Sequence, residues 1–175
     1  MEDKLKKIKA FAFDVDGVLT DGGILSTMEG DLYRTFDSKD GFGFRMASMH
    51  GYHLAIITGG SSESIRLRFR TCGVPAEDIY LHSRHKMTDF EDFCTRHSLT
   101  PDQVMYFGDD VPDIAVMKAC GCGVCPQDAV EEVKEIADFV CPRPGGRGCA
   151  RHAIEMVMRL QGTWILDDEV YKNRF

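Results

Sequence analysis

The sequence predicts an α/β protein with a Rossmann-like, doubly wound and mostly parallel sheet. Short apolar runs typical of buried strands alternate with segments typical of helices, which is the pattern of βαβ units. Three of these strands end in loops rich in Asp, Gly or Thr, and such sheets bind ligands at the carboxyl ends of their strands. A chain of 175 residues fits one domain with a sizeable core, so we expect residues 1–175 to form a single domain.

The first predicted strand runs from Ile8 to Phe13 and is followed by two carboxylates one residue apart, Asp14 and Asp16. Their side chains point the same way if the chain stays extended, because side chains alternate along a strand. Gly17 lets the backbone turn and approach a ligand. Two neighbouring anions repel, so the arrangement favours a hard cation between them, although Asp-x-Asp-Gly is also common in turns.

The elements after this motif are predicted from turn residues and periodicity. Residues 23–36 form a β-hairpin with its turn at Glu29–Asp31. Asp40 is the expected N-cap of a helix over residues 41–50. The later elements are, in order, strand 52–57, helix 63–72, strand 79–81, helix 86–97, strand 103–107, helix 114–120, strand 123–125, helix 130–136, strand 139–140 and helix 149–160.

The boundaries of these later elements have local reasons. Gly73 closes the helix over 63–72, and Gly108 closes the apolar strand over 103–107. Met87, Phe90 and Phe93 recur at three-residue steps, which indicates a helix with one apolar face. The last predicted helix is amphipathic in the same way.

Chemically active side chains follow three of the predicted strands. They are Asp14 and Asp16 after the first strand, Thr58 after the second, and Asp109, Asp110 and Asp113 after the fourth, with Lys86 opening the helix between the last two. Because the carboxyl ends of parallel strands meet at one edge of a sheet, we expect these groups to converge on one cleft.

Composition narrows the function classes. The net charge of -7, from 28 acids and 21 bases, disfavours a nucleic-acid partner, which requires a basic face. The N-terminus lacks an apolar signal region, and no apolar run approaches the length of a membrane span. These features lead us to expect a cytoplasmic protein.

Seven cysteines without a secretory signal argue against a disulfide framework. Cys120, Cys122 and Cys125 lie close together, and the last two have the spacing of a redox or zinc motif. No paired Cys or His motif follows at the distance that a zinc finger needs. We therefore interpret them as buried thiols on a strand.

The order and spacing of the polar motifs resemble the haloacid dehalogenase superfamily of phosphotransferases. The four matching motifs are Asp14-Val-Asp16-Gly17-Val18, Thr58-Gly59, Lys86 and Gly108-Asp109-Asp110-x-x-Asp113. The chain also resembles one branch, the small 3-deoxy-D-manno-octulosonate (KDO) 8-phosphate phosphatases. Those matches are Ala12–Gly22, the hairpin, Asp40–Gly43 and Gly145–Gly148.

Residue chemistry and this resemblance together suggest a mechanism. A carboxylate can attack phosphorus and form an aspartyl-phosphate, which divides one difficult displacement into two steps. We expect Asp14 to be this nucleophile and Asp16 to be the general acid and base. The resemblance implies a Mg²⁺ ion bound by Asp14, the backbone carbonyl of Asp16, and Asp109, with Asp110 helping directly or through water.

The resemblance also assigns the phosphate-binding groups. Thr58 and the Gly59 amide would bind phosphate oxygens, and Lys86 would neutralise these oxygens and the nucleophile. Asp113 would orient Lys86.

At the sugar end of the substrate, the resemblance implies that Gly60 and Ser61 face the leaving group. The branch lacks a mobile cap domain, and its tetramers place a neighbouring subunit over the cleft, with the hairpins at the central contact. Arg68 of an adjacent subunit would bind the sugar acid's carboxylate, although Arg66, Arg68 and Arg70 could equally be a solvated helix face. The tail over 163–175 could reach a neighbour's site or be frayed.

Three functions remain open on this basis. The first is a KDO 8-phosphate phosphatase acting in lipopolysaccharide synthesis. The second is a phosphatase for nine-carbon, sialic-acid-like 9-phosphates, whose branch carries Glu at the place of Gly60 and Lys at the place of Thr71; this chain has neither. The third is a catalytically silent scaffold, against which the intact Asp14, Asp16, Lys86 and Asp109 argue.

Overall fold

The computed structural model describes residues 1–165, which form a six-stranded parallel sheet between two layers of helices. The strands of the sheet are β1 Ala10–Phe13, β4 His53–Ile57, β5 Ile79–Tyr80, β6 Val104–Phe107, β7 Cys122–Cys125 and β8 Phe139–Val140, and the hairpin strands are β2 Leu25–Ser26 and β3 Leu32–Tyr33. The helices are α1 Glu2–Leu5, α2 Ser38–Met49, α3 Glu63–Arg70, α4 Lys86–Arg96, α5 Ile114–Ala119, α6 Glu131–Lys134 and α7 Cys149–Leu160. The prediction of a doubly wound α/β sheet with a hairpin insertion is confirmed.

The strand order β5-β4-β1-β6-β7-β8 places the first strand at the centre of the sheet. Phe13 is in register with Ile56 of β4 on one side and with Phe107 of β6 on the other. The chain builds the sheet outward from β1 in one direction and then in the other, so the order reverses at this strand. Ligands bind at such a reversal, just beyond the carboxyl ends of the strands.

Side chains of β1 alternate between two apolar cores, one on each face of the sheet. Phe11 and Phe13 enter the core formed with α2, α3 and α7. Ala10 and Ala12 face the other core, formed with α4, α5 and α6. All four residues are fully buried, as expected of a central parallel strand.

The start of the helix predicted over 41–50 was wrong. The helix begins at Ser38, and the N-cap is Asp37, whose carboxylate accepts a hydrogen bond from the Lys39 amide at 2.7 Å. Asp40 lies buried in the first turn and accepts a 2.7 Å hydrogen bond from the amide of Arg151. The carboxylate predicted to cap α2 therefore contacts the start of α7 instead.

The hairpin agrees closely with its prediction. Its strands pair antiparallel around a turn in which Gly30 adopts a φ of +90°. The strands are short, and several of their apolar side chains, including Leu25 and Tyr33, face outward from the described chain.

All seven cysteines are free, and Cys122 and Cys125 are buried on β7. Burial raises the pKa of both thiols to about 11, so both stay protonated at neutral pH. The structure agrees with the interpretation of Cys122 and Cys125 as buried thiols on a strand. The same interpretation was wrong for Cys120, which is only partly buried and lies at the C-cap of α5, before the strand begins.

None of the helices within residues 1–165 has the length and apolar composition that a membrane span requires. Of the tail predicted to reach a neighbouring site, positions 166–175 lie outside the described residues.

Candidate active site

A cleft of about 350 Å³ opens at the carboxyl edge of the sheet, where the loops after β1, β4, β5 and β6 meet. Its lining contains most of the polar residues singled out in the sequence. These lining residues are Asp14, Asp16, Thr58, Gly59, Gly60, Ser83, Arg84, Lys86, Asp109, Asp110, Pro112 and Asp113. The loops converge because all of the strands involved are parallel and end at the same edge.

Lys86, the first residue of α4, lies at the inner end of this cleft between two carboxylates. Its Nζ is 3.0 Å from Oδ1 of Asp14 and 2.7 Å from Oδ1 of Asp113. The Tyr106 hydroxyl also donates to Oδ1 of Asp113, at 2.6 Å. Oδ2 of Asp113 accepts the amides of Asp109 and Asp110. Asp113 is therefore held by one hydroxyl and two backbone amides, and it in turn holds the ammonium of Lys86.

Asp109 differs from Asp113 in having a free ligand atom. Its Oδ1 is buried and has no hydrogen-bond partner among residues 1–165. The carboxylate lies against Gly17, which has a φ of +87°, and a Cβ added to Gly17 would come within 2.0 Å of Oδ2 of Asp109. Glycine is required here because a side chain would displace the carboxylate. A buried, unpartnered carboxylate oxygen is costly, so this atom suits a ligand that the protein alone does not supply.

The balance of charge around Lys86 is strongly negative, because three carboxylates share the neighbourhood of one ammonium. Burial, together with the charge of Asp113, raises the pKa of Asp14 to about 7 despite the opposing effect of Lys86. Burial and the charges of Asp14 and Asp113 raise the pKa of Asp109 to about 8. Burial alone would lower the pKa of Lys86, but the Asp14 and Asp113 charges outweigh it and raise that pKa.

Oxygen atoms of Asp14, Asp109 and Asp113 lie within 4.8 Å of one another. Asp113 already serves Lys86, Tyr106 and two amides, which leaves Asp14 and Asp109 as the carboxylates that face the open space. Hard oxygen donors and a surplus of negative charge suit a small divalent cation such as Mg²⁺. The residues present therefore fit the metal that the sequence predicts.

The loop after β4 forms the opposite wall of the cleft. The Thr58 hydroxyl accepts the Gly60 amide at 3.0 Å, and the Thr58 backbone is bonded to Tyr80 and Ser83. Ser83 is buried, and its hydroxyl has no partner among residues 1–165. The sequence analysis missed Ser83, although its place between β5 and Lys86 puts it at the same sheet edge.

Asp16 lies at the outer part of the cleft, where Arg34 binds it. The Arg34 Nε and Nη2 atoms donate to the two carboxylate oxygens of Asp16 at 2.6 and 2.9 Å. The sequence analysis also missed Arg34, because no local pattern shows that the end of the hairpin returns to the first motif.

Two of the predicted substrate-binding residues lie away from the lining of the cleft. Ser61 is exposed just beyond Gly60. Arg68 points toward α2, where a Cβ added to Gly41 would meet its Nη2 at 2.6 Å. Neither residue reaches the cleft of its own chain. Asp110 does line the cleft, while its Oδ1 accepts the Val111 amide at 2.7 Å.

Comparison with known proteins gives the class first. A family profile described as haloacid dehalogenase-like hydrolase matches residues 64–151. Together with the parallel sheet and the acidic cleft, this match makes the chain a member of the haloacid dehalogenase-like hydrolases.

Within that class, the chain belongs to the family of the KDO 8-phosphate phosphatases. It is 33% identical to the enzyme of that name, KdsC, from Haemophilus influenzae, over 93% of this chain and 89% of the relative. KdsC of Escherichia coli (strain K12) is also 33% identical, over 91% of this chain and 84% of the relative. A Moraxella catarrhalis KDO 8-phosphate phosphatase, solved with magnesium, phosphate and KDO, superimposes with a TM-score of 0.89 at 30% identity and covers 98% of this chain and 96% of that one.

Magnesium binding should release protons from this cleft. The raised pKa values mean that Asp14 and Asp109 still hold protons below pH 7 to 8, and a cation must displace them because it binds the ionised forms. We expect about one to two protons released per Mg²⁺ at pH 6, fewer than about half a proton at pH 9, and an apparent affinity that rises between these values. Calorimetry in buffers of different ionisation enthalpy measures the proton count.

The matched control is Asp109→Asn, which should weaken Mg²⁺ binding and reduce the number of protons released. A proton count that stays constant from pH 6 to pH 9 would contradict this account of the cleft.

Proposed function

We propose that this protein is a Mg²⁺-dependent phosphatase that hydrolyses KDO 8-phosphate to KDO and phosphate through an aspartyl-phosphate. The observation that carries the proposal is the position of Asp14, which lies 3.0 Å from Lys86 beside the unpartnered oxygen of Asp109. The named activity of the 33% identical relatives supports the choice of substrate.

In the first step, a carboxylate oxygen of Asp14 attacks phosphorus, and the bond between phosphorus and the sugar oxygen breaks. Asp16 gives its proton to the departing sugar oxygen. In the second step, Asp16 takes a proton from water while that water attacks phosphorus and releases Asp14. Asp16 is suited to these tasks because it lines the outer, more accessible part of the cleft.

The phosphoryl oxygens carry negative charge in both steps and need fixed donors. The ammonium of Lys86 is one such donor, and it is held in place by Asp113, which in turn accepts the Tyr106 hydroxyl. Thr58 and the Gly59 amide supply further donors from the loop after β4. Ser83 would be an additional donor at this wall. Its backbone amide bonds to the carbonyl of Thr58, and its hydroxyl has no partner among residues 1–165.

Asp14, Asp109 and the backbone carbonyl of Asp16 would hold the Mg²⁺ ion, with Asp110 contributing directly or through water. When bound, Mg²⁺ neutralises charge on the transferring phosphoryl group. The unpartnered oxygen of Asp109 and the excess of carboxylates around Lys86 support this ligand set. The magnesium in the Moraxella catarrhalis relative supports the choice of ion.

The sugar end of the substrate would be bound partly by a neighbouring subunit. Within residues 1–165, only the hairpin is inserted between β1 and α2, so the described chain itself provides no separate cap over the cleft. Gly60 and Ser61 would face the leaving group. Arg68 does not reach the cleft of its own chain, which is consistent with a role toward the cleft of an adjacent subunit.

A homotetramer built on the hairpins would supply this neighbour. The hairpin carries apolar side chains that are unusually exposed in one chain, and Leu25 is 67% exposed. Exposed apolar clusters of this kind mark protein interaction sites. The exposed members of the cluster are Ile24, Leu25, Met28 and Tyr33.

We also infer that the protein acts in the cytoplasm. All of its cysteines are free, including the buried pair Cys141 and Cys149, whose thiol groups bond to backbone oxygens. Free thiols throughout a chain with seven cysteines are typical of a reducing compartment.

The proposed substrate is tested by comparing catalytic efficiencies with Mg²⁺ on KDO 8-phosphate and on nine-carbon keto-deoxy sugar 9-phosphates. We expect the eight-carbon substrate to be favoured by about tenfold or more, since Gly60 and Thr71 differ from the nine-carbon branch. Asp14→Asn should lower turnover by at least about 1,000-fold, because an amide is a poor nucleophile.

A preference for the nine-carbon substrates would reverse the assignment. Absence of phosphate release from every sugar-acid phosphate would favour the silent scaffold, and turnover retained in Asp14→Asn would end the role of Asp14.

Removing the Ser83 hydroxyl should weaken phosphate binding. We expect Ser83→Ala to raise the inhibition constant of inorganic phosphate by about two- to tenfold, because this factor corresponds to the net free energy of one neutral hydrogen bond. Ser64→Ala is the control, because Ser64 is exposed on α3 and its hydroxyl bonds only to the Ser62 hydroxyl among residues 1–165. An equal inhibition constant in both variants would remove Ser83 from the phosphate site.

Sedimentation of the native protein tests the tetramer. We expect four chains per particle, and the double variant Leu25→Glu, Met28→Glu should dissociate it because burying two carboxylates in an apolar contact is costly. Leu160→Glu, at the exposed end of α7, should leave the particle mass unchanged. A native monomer, or a double variant that stays tetrameric, would contradict the hairpin contact.

A further inference from the structure

Arg34 links the hairpin to the cleft. It directly follows β3, and its side chain extends back to Asp16, eighteen residues earlier in the chain. Nε donates to one carboxylate oxygen at 2.6 Å and Nη2 donates to the other at 2.9 Å. This two-pronged geometry fixes the plane of a carboxylate as well as its position.

The Arg34 side chain is buried rather than solvated. It is 2% exposed, whereas the Asp16 side chain is 29% exposed. Its Nη1 also donates to the carbonyl of Leu32, on the hairpin's own strand. Surface ion pairs contribute little, but a buried guanidinium held at three points has one orientation. Arg34 is therefore a fixed part of the cleft wall.

Asp16 depends on this contact for its own orientation. Within residues 1–165, the hydrogen bonds of the Asp16 carboxylate are the two from Arg34. The guanidinium also lies beside the loop after β4, since a Cβ added to Gly60 would be 3.4 Å from Nη2 of Arg34. Arg34 thus sits where the hairpin, the first motif and the phosphate loop meet.

We propose that Arg34 is the positioning residue for Asp16, and that it holds this carboxylate on the leaving-group side of the cleft. The inference rests on the proposed function, in which Asp16 transfers a proton to the departing sugar oxygen. Because Arg34 is anchored to β3, proton transfer then depends on how the base of the hairpin packs. A hairpin that assembles subunits would also set the geometry of the acid.

This role predicts a dependence on the leaving group. A sugar alkoxide is strongly basic and needs a proton as it departs, so its ester should require a well-placed Asp16. The p-nitrophenolate ion is weakly basic and leaves without a proton. A residue that positions Asp16 should therefore lower kcat/KM for sugar phosphates and leave kcat/KM for p-nitrophenyl phosphate nearly unchanged. This contrast concerns kcat/KM, because kcat/KM covers the first step, whereas the base role of Asp16 belongs to the second step that both substrates share.

The experiment compares the native protein with Arg34→Gln and Arg34→Lys on KDO 8-phosphate and on p-nitrophenyl phosphate, with Mg²⁺. We expect Arg34→Gln to lower kcat/KM about 100-fold on the sugar phosphate and less than about threefold on the aryl phosphate. Arg34→Lys keeps the charge but loses the two-pronged geometry, so its kcat/KM on the sugar phosphate should lie between those of the native protein and of Arg34→Gln. The control is Arg159→Gln, which removes an exposed guanidinium on α7 and should have the kcat/KM of the native protein on both substrates.

Two further measurements separate positioning from a structural role. Mg²⁺ affinity by calorimetry should change less than about twofold in Arg34→Gln, since the role concerns Asp16's carboxylate alone. In the Asp16→Asn background, Arg34→Gln should add no further loss on the sugar phosphate, because no acid remains to be positioned.

Equal losses on both substrates, additive effects in the double variant, or unchanged sugar-phosphate activity in Arg34→Gln would each overturn the role of Arg34. If Arg34→Gln fails to fold, the same comparison with Arg34→Lys decides the question. A native protein that hydrolyses p-nitrophenyl phosphate but no sugar phosphate would overturn the proposed function instead. These two failures are therefore distinguishable.

Discussion

The contact between Lys86 and the two carboxylates Asp14 and Asp113 is the interaction on which the cleft depends. It brings together the loop after β1, the start of α4 and the loop after β6, which are far apart in the chain. One ammonium does not neutralise the carboxylates around it, and burial together with this surplus of negative charge raises the pKa values of Asp14 and Asp109. The same imbalance makes the cleft attractive to a divalent cation.

The sheet makes this concentration of charge possible. β1 is central and parallel to its neighbours, so three strands deliver their polar ends to one edge. Its buried side chains alternate between large Phe11 and Phe13 on one face and small Ala10 and Ala12 on the other, which anchors the strand in both cores. This central strand keeps Asp14 in place although the carboxylates of Asp109 and Asp113 lie close to it.

The hairpin combines two different surfaces in a short segment. Its outer surface presents apolar side chains, and its base presents Arg34 to Asp16. One short insertion therefore carries both an exposed apolar surface and the guanidinium that binds Asp16. The Arg34 side chain is 2% exposed within the single chain.

The sequence by itself determined the alternation of strands and helices, the hairpin and the set of polar loops, because hydrophobic periodicity and turn residues are local signals. It also indicated that Asp14, Thr58, Lys86 and Asp109 end up at one sheet edge. Only the tertiary structure decided that Asp37 rather than Asp40 caps α2, that Ser83 lines the cleft without a partner, and that Arg34 binds Asp16. The positions of Asp40 and Asp16 depend on contacts between segments distant in the chain, namely the amide of Arg151 that engages Asp40 and the guanidinium of Arg34 that engages Asp16, and no local pattern encodes such contacts.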